Sequence, residues 1–300
     1  MTTVAAVISS YRSAADLPEC VRSLRAGTVA PNRIVIVDAS PDGESAELGR
    51  SLGAEVIELD NRGLGCLYNH GVEHVAATYV ALTNADVAFD ARCIALLVQS
   101  LEDDDSLFAA DPRQLDWSGE RTIRARTTLR RGPLLRTPIP GLTVDPVAPP
   151  YAGAPVATAY ANAGAMLVRR ERMLELGGFD ETFFMDFEDI DLCWRAWLRG
   201  WGSVYVPDAV VRHRVGASTD LNAAPRRLAS SHHNLARFAL KSFPARAAGR
   251  VMLAEMIRVA RSPRIIGPAL AATAVELPGI LSERRRLRPS RELFDRLTSE

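Results

Sequence analysis

The sequence is poor in the features that mark several protein classes. Its four cysteines, Cys20, Cys66, Cys93 and Cys193, lie far apart and form no C-x-x-C pair. That spacing argues against a zinc site and for a reducing compartment. No signal peptide is visible, because MTTVAAVISSYR runs directly into a strand-like segment. There is no internal repeat. The longest apolar stretch, 265–281, is interrupted by Pro268, Glu276 and Pro278, and reads as too short and broken for a membrane span. Few aromatic residues interleave with the basic segments, which argues against nucleic acid as a partner. No Gly-rich Arg/Lys loop follows the first strand, which argues against nucleotidyl transfer. Formal net charge is zero. What remains is a chain of 300 residues with 47% hydrophobic content, enough for a large core.

Strand and helix signals alternate through the N-terminal part. Strands are expected at Val4–Ser10, Arg33–Asp38, 55–59 and 79–83, and helices at 16–26, 45–52, 64–76 and 91–101. Continuous apolar, β-branched strands between helices indicate a mostly parallel sheet covered on both faces. Ligands of such sheets bind beyond the carboxyl ends of the strands. Here those ends carry Ser9, Ser10 and Tyr11, then Asp38, then Asn61, then Asn84 and Asp86.

The segment 177–195, GGFDETFFMDFEDIDLCWR, sets Asp186, Glu188, Asp189 and Asp191 among Phe183, Phe184, Met185, Phe187, Leu192 and Trp194. An isolated Glu-Asp pair would more often be an exposed helix start. Carboxylates surrounded by aromatic side chains need a cation, a hydroxyl or an acid-base task to justify their desolvation.

Taken in order, these segments resemble the family 2 glycosyltransferases, over roughly residues 4–215, and within them the bacterial rhamnosyltransferase-type subgroup. VISSYR (7–12) resembles the family's opening strand, and IVIVDASPDG (34–43) the second, whose Asp binds the nucleotide base. NRGLGCLYNHG (61–71) resembles the segment beside the sugar diphosphate, and LTNADV (82–87) stands at the metal-binding Asp-x-Asp motif. GGFDETFFMDFEDIDLCWR resembles the acceptor-side segment, and YVPDAVVRH (205–213) the strand whose His completes the metal site. Three positions depart from the pattern: Arg12 and Ala39 stand where Asn is usual, and Asn84 replaces the first acid of Asp-x-Asp.

The resemblance implies an α/β GT-A fold, Rossmann-like, with a C-terminal helical extension. It implies donor contacts from Ser9, Tyr11, Asp38, Asn61, Gly63, Asn69 and Asn84. A divalent cation, Mn²⁺ or Mg²⁺, would be held by Asp86 and His213. Asp189 would be the general base, Glu188 would bind the acceptor or orient the base, and Asp191 and Trp194 would lie on the acceptor side. For Asp191 the alternative is a helix cap. Direct attack by the acceptor hydroxyl inverts the anomeric carbon. The implied partners are a nucleotide-sugar donor, of rhamnose or of another hexose or galactofuranose, and a glycan or polyprenyl-linked acceptor. The non-enzymatic alternative is a degenerate scaffold that only binds sugar nucleotide.

Zero net charge conceals an asymmetry. Residues 221–300 carry 15 basic against 6 acidic residues, and residues 1–220 carry 21 against 30. This divides the chain into a catalytic part, 1–220, and a basic helical part, 221–300. Residues 246–261 read as an amphipathic helix, with Arg246, Arg250, Arg258 and Arg261 on one arc and Ala248, Met252, Met256 and Val259 on the other. A second basic cluster follows at 283–291. Such a helix either lies on an anionic membrane surface or packs on the catalytic part. The expected location is cytoplasmic, peripheral on the inner face of the cell membrane. Residues 112–160, rich in Pro and Arg, read as an acceptor-side loop that includes Arg121, Arg124, Arg126, Arg130 and Arg131.

Overall fold

The structure, a computed structural model, describes residues 2–129, 142–144, 153–214 and 224–297. In chain order it begins with β1 (Val4–Ser10), α1 (Leu17–Arg25), β2 (Arg33–Asp38), α2 (Glu44–Ser51), β3 (Glu55–Glu58), α3 (Leu64–His74), β4 (Tyr79–Asn84), β5 (Val87–Phe89) and α4 (Cys93–Glu102). Then come β6 (Leu107–Leu115), β7 (Thr122–Arg124), β8 (Thr127–Leu129), β9 (Leu142–Val144), β10 (Val156–Thr158), β11 (Ala165–Arg169), α5 (Arg170–Glu175), α6 (Glu188–Leu198) and β12 (Gly202–His213). The C-terminal part is helical: α7 (Ala224–Ser242), α8 (Ala245–Arg261), α9 (Pro263–Leu287) and α10 (Arg291–Leu297). The expected division at 220/221, and Arg130 and Arg131, lie outside the described residues.

The main sheet runs β10-β12-β6-β11-β4-β1-β2-β3. Pairing within β4-β1-β2-β3 is parallel, while β11 runs antiparallel to both β4 and β6. Side chains alternate across β1: Ala5 and Val7 enter one core layer with α3, and Val4, Ala6 and Ile8 enter the other with α1 and α4. Both faces being covered, the strand is apolar throughout until its end. Register then decides where its polar end lands. Ser10 pairs with Asp38, and Ser9 with Asn84, so three strand ends converge at one edge.

The C-terminal helices share a core with the sheet. Leu235, Phe238, Phe243, Ala248 and Val251 belong to the same buried cluster as Val7, Tyr68 and Trp194. Phe238 packs on Phe187 and Trp194, with ring centroids 5.8 and 5.9 Å apart. Lys241, the only lysine in the sequence, is 2% exposed and lies 2.6 Å from both Asp180 and Asp191. Arg237 pairs with Glu276 at 3.0 Å and Glu283 at 2.7 Å, which joins α7 to α9.

Two expectations for this region are corrected. The buried face of α8 is Ala248, Val251, Ala254 and Glu255, while Met256 is 60% exposed; the packing of α7 and α9 selects the face. Pro268 and Pro278 do not break the apolar stretch, since both lie inside α9. By length and composition α9 could cross a membrane, although its Glu276 and Glu283 are paired with α7. The three acids of α8 and α9 are all paired, with Glu255 on His232 and Arg258. The exposed surface of the two helices shows Leu253, Met256, Val275 and Leu281 beside Arg250 and Arg285.

Candidate active site

The edge where β1, β2 and β4 end holds its polar groups by short contacts. Asp38 is buried. Its Oδ1 accepts from Ser40 Oγ at 2.8 Å, and its Oδ2 has no partner. A buried acceptor left open is suited to an N–H of a nucleotide base. Arg12 takes a left-handed conformation, φ 52°, and donates its N–H to Ser40. Its guanidinium lies 5.6 Å from the ring of the partly exposed Tyr11. Ser9 Oγ and the Tyr68 hydroxyl lie 3.1 and 3.0 Å from Asn84 Oδ1. The amide oxygen of Asn84 is thus engaged, and Asp86 is the carboxylate that this turn offers to a cation.

Asp86 Oδ1 lies 3.2 Å from His213 Nε2, both side chains nearly buried. His213 Nδ1 donates to Gln114 Oε1 at 2.9 Å. An amide oxygen only accepts, so in the neutral imidazole the Nε2 lone pair is left toward Asp86. A carboxylate oxygen and an imidazole nitrogen side by side form a donor set suited to a divalent cation such as Mn²⁺. A second group of donors, Cys66, His70 and Glu181, is already committed: Glu181 to Arg62 and Asn69, and His70 to the Cys66 carbonyl.

The acidic pair opens α6. Its approach is unusual, because Asp186 and Phe187 both have positive φ, 67° and 78°. That conformation is costly for non-glycine residues and needs support from its surroundings. Here α7 supplies it. Asn234 donates to the carbonyls of Met185 and Asp186 at 2.8 and 2.9 Å, and Ser231 donates to the Asp186 carboxylate at 2.7 Å. The turn swings Glu188 and Asp189 inward, leaving them 4% and 6% exposed. Asp189 Oδ1 accepts from the Ile190 N–H at 2.8 Å. Its Oδ2 accepts from Asn162 Nδ2 at 2.8 Å and the Ala163 N–H at 3.3 Å. Glu188 Oε2 has no partner. Burial raises both carboxyls, that of Glu188 further because of Asp189's charge, while Arg124 and the three donors pull Asp189 back. With three donors on its oxygens, Asp189 is the better-supported home for negative charge, while Glu188 Oε2 has none.

Gly63 joins the two sides of the site. Its φ is 100°, and a Cβ there would lie 2.5 Å from the Phe184 carbonyl oxygen. Leu64 N–H donates to that same oxygen at 3.1 Å. Asn61 Oδ1 accepts from the Gly63 N–H at 3.3 Å.

Three expected residues do not reach the site. The Asn69 amide is used on both sides: its oxygen accepts from the Phe179 N–H, and its nitrogen donates to the Phe179 carbonyl and to Glu181. It braces the acceptor segment instead of facing a diphosphate. Asp191 is fully buried between Arg195 and Lys241. Trp194 is 2% exposed and packs on Phe238 and Phe243. Neither Asp191 nor Trp194 faces an acceptor. Conversely Gln114, Asn162 and Tyr68 sit at the site without having been anticipated there, and Arg124, from the segment expected on the acceptor side, acts on Asp189. No local pattern singled out Gln114, whose strand also carries Asp111 and Arg113.

Residues 5–152 match the family model described as Glycosyl transferase family 2. The N-acetylglucosaminyl-diphospho-decaprenol L-rhamnosyltransferase of Mycobacterium tuberculosis (strain CDC 1551 / Oshkosh) is 42% identical over 74 residues, 25% of this chain and 24% of that protein. The low-salt glycan biosynthesis hexosyltransferase Agl6 of Haloferax volcanii is 25% identical over 114 residues, 37% of this chain and 27% of that protein. The chain thus aligns with about a quarter of the length of these curated relatives. Among solved structures, GalNAc-T7 with UDP, GalNAc and Mn²⁺ superposes with a TM-score of 0.63 at 16% identity, covering 82% of this chain and 49% of that one. The mannosyltransferase PcManGT from Pyrobaculum calidifontis, in complex with GDP-Man and Mn²⁺, gives 0.57 at 17% identity, covering 97% and 81%. At such identities the likeness is one of fold, and the fold is GT-A.

Proposed function

The chain belongs to glycosyl transferase family 2, and from that premise we propose that it is an inverting glycosyltransferase. It moves a sugar from a nucleotide-sugar donor to a hydroxyl of a glycan or polyprenyl-linked glycan. The observation that carries this reading is the buried Glu188–Asp189 pair, with three donors aimed at the Asp189 carboxylate. Asp189 accepts the proton of the acceptor hydroxyl as that oxygen bonds to the anomeric carbon. The bond from that carbon to the diphosphate oxygen breaks, and the nucleoside diphosphate leaves with the electron pair. Attack from the opposite face inverts the configuration. Asp38, with its open Oδ2, binds the base, and Tyr11 offers its ring beside it. Asp86 and His213 hold a divalent cation, which when bound offsets negative charge on the departing diphosphate.

Rhamnose is the first choice of sugar, supported by the activity named for the mycobacterial relative; a hexose is the alternative, supported by that of Agl6. A binding-only reading is favoured by one observation, the Asn84 oxygen taken up by Ser9 and Tyr68, and donor hydrolysis separates it from the enzyme. Residues 1–220 form the catalytic part and 221–300 a helical part that faces the acceptor's membrane. The apolar and basic surface of α8 and α9 suits an anionic leaflet and supports a seat on the cytoplasmic side of the cell membrane.

The test is calorimetry of nucleoside-diphosphate binding. Asp86→Ala is expected to weaken binding in Mn²⁺ and to change it little in EDTA. Equal affinities for mutant and wild type in Mn²⁺ would remove Asp86 from the cation site.

A further inference from the structure

The cation pair and the base are joined by an unbroken line of side chains. Asp86 Oδ1 faces His213 Nε2 at 3.2 Å, and His213 Nδ1 meets Gln114 Oε1 at 2.9 Å. Gln114 Nε2 donates to Asn162 Oδ1 at 3.1 Å, and Asn162 Nδ2 donates to Asp189 Oδ2 at 2.8 Å. Gln114 is wholly buried. We propose that Gln114 and Asn162 are positioning residues that hold His213 in the Nδ1–H tautomer, bare at Nε2 for a divalent cation, and tie that site to Asp189.

The polarity of the line is forced at both ends. An ionised carboxylate only accepts, so Asn162 must turn its NH₂ to Asp189. The Gly164 backbone N–H, which only donates, lies 3.2 Å from Asn162 Oδ1 and demands the same orientation. With the Asn162 oxygen fixed, Gln114 must offer its NH₂ there, so its oxygen faces His213. That oxygen takes the Nδ1 proton. A flipped Gln114 would set NH₂ against N–H at one end and oxygen against oxygen at the other, a costly clash for a wholly buried side chain. Gly164 also gives the line its room. A Cβ there would lie 2.9 Å from Asn162 Oδ1 and 3.4 Å from His213 Cε1.

Residues that orient a ligating His through its second nitrogen typically change metal affinity about 10–100-fold when lost. The proposal rests on the cation site suggested above, so its test reads the relay separately from the metal. Long-range ¹⁵N–¹H NMR of the metal-free full-length chain, at about pH 8 where an ordinary imidazole is neutral, reports which nitrogen of His213 carries the proton. Wild type is expected to show Nδ1–H. Gln114→Met, close in length but without an acceptor, is expected to give a tautomer mixture and to lose about 10–100-fold in Mn²⁺ affinity by calorimetry.

A wild-type His213 carrying its proton on Nε2 overturns the inference. So does a folded Gln114→Met chain with unchanged tautomer and Mn²⁺ affinity. If Gln114→Met fails to fold, Asn162→Ala serves, since it frees Gln114 to flip; an unchanged His213 spectrum there also overturns the relay. Wild-type Nδ1–H without Mn²⁺ affinity supports the relay and removes the cation site.

Discussion

At the ends of β1, β2 and β4 the polar side chains are held by close neighbours: Asp38 by Ser40 two residues on, and Asn84 by Ser9 of the adjacent strand and Tyr68 of α3. Around α6 they are held from far along the chain. Lys241 and Asn234 of α7 fix Asp180, Asp191 and the strained turn at Asp186, and α9 anchors Arg237 and Lys241 in turn. The donor side is thus built from register, and the acceptor side from buried charge. Register is cheap to keep and tolerates a local change. A buried ion network fails as a unit, since removing one member strands the others without water.

The largest effect expected is on turnover. Asp189→Asn keeps shape and loses basicity, and turnover with a competent acceptor is expected to fall about 10²–10⁴-fold while donor affinity holds. Glu188→Gln should cost less. A dead Glu188→Gln beside a near-normal Asp189→Asn would exchange their roles, and two active mutants would make the acidic pair structural.

The next effect is on stability. Lys241→Met removes the cation that Asp180 and Asp191 share, leaving each a single arginine, Arg237 at 3.4 Å and Arg195 at 2.8 Å, and is expected to cost up to about 3–5 kcal/mol, read by chemical denaturation. Asp38→Asn, on the donor side, is expected to cost far less. Similar losses for the two would erase the contrast between the halves. Removing 245–300 takes Glu276 and Glu283 from Arg237 and is expected to destabilise the remainder rather than yield a trimmed enzyme.

The donor side was legible because its signals are local. Apolar runs ending in Ser9, Asp38 and Asn84 needed only period and register to be placed, and each of these strand ends lies within a residue of its expected position. The start of α4 moved to Cys93 because Asp90 accepts from the N–H groups of Arg92 and Cys93. The acceptor side was legible in composition and misleading in detail. Asp191 and Trp194 looked like site residues because their partners, Lys241, Phe238 and Phe243, lie on a helix that no local pattern connects to α6. Asn69 misled because the glycine it serves, Gly178, is brought to it only by the fold: a Cβ there would lie 2.4 Å from its oxygen. Gln114 and Asn162 share no spacing at all.

Acidity offers a finer probe. Burial pushes the Asp111 carboxyl up to about 8. A folded pKa above the unfolded value means its stabilising contribution is full below about 4, the ordinary carboxylate range, and is lost as pH rises toward 8. For Asp180, burial acts in the same upward direction, but Lys241, Thr182 and Arg237 outweigh it and hold the carboxyl well below the usual range. Its contribution is present above that range and lost as pH falls. Asp111→Asn should therefore flatten the neutral arm of a stability–pH profile, and Asp180→Asn the acid arm. The same slope in both mutants would contradict the opposite environments described.

The smallest effect concerns the surface of α8 and α9. Anionic vesicles are expected to bind the full chain weakly and less so in high salt. Each exposed arginine contributes about 1 kcal/mol near such a surface, so Arg250→Glu with Arg285→Glu should reduce binding markedly without altering donor affinity. A chain that ignores anionic vesicles at low salt would leave these helices with a packing role alone.

A sequence with one lysine, 2% exposed, has a practical use. Amine-directed reagents find no side chain to modify while α7 stays seated on α6. Reaction at Lys241 then becomes a readout of the helices lifting away, available by mass spectrometry on unlabelled protein. Its rate, followed with and without acceptor, times the opening of one half of the molecule against the other.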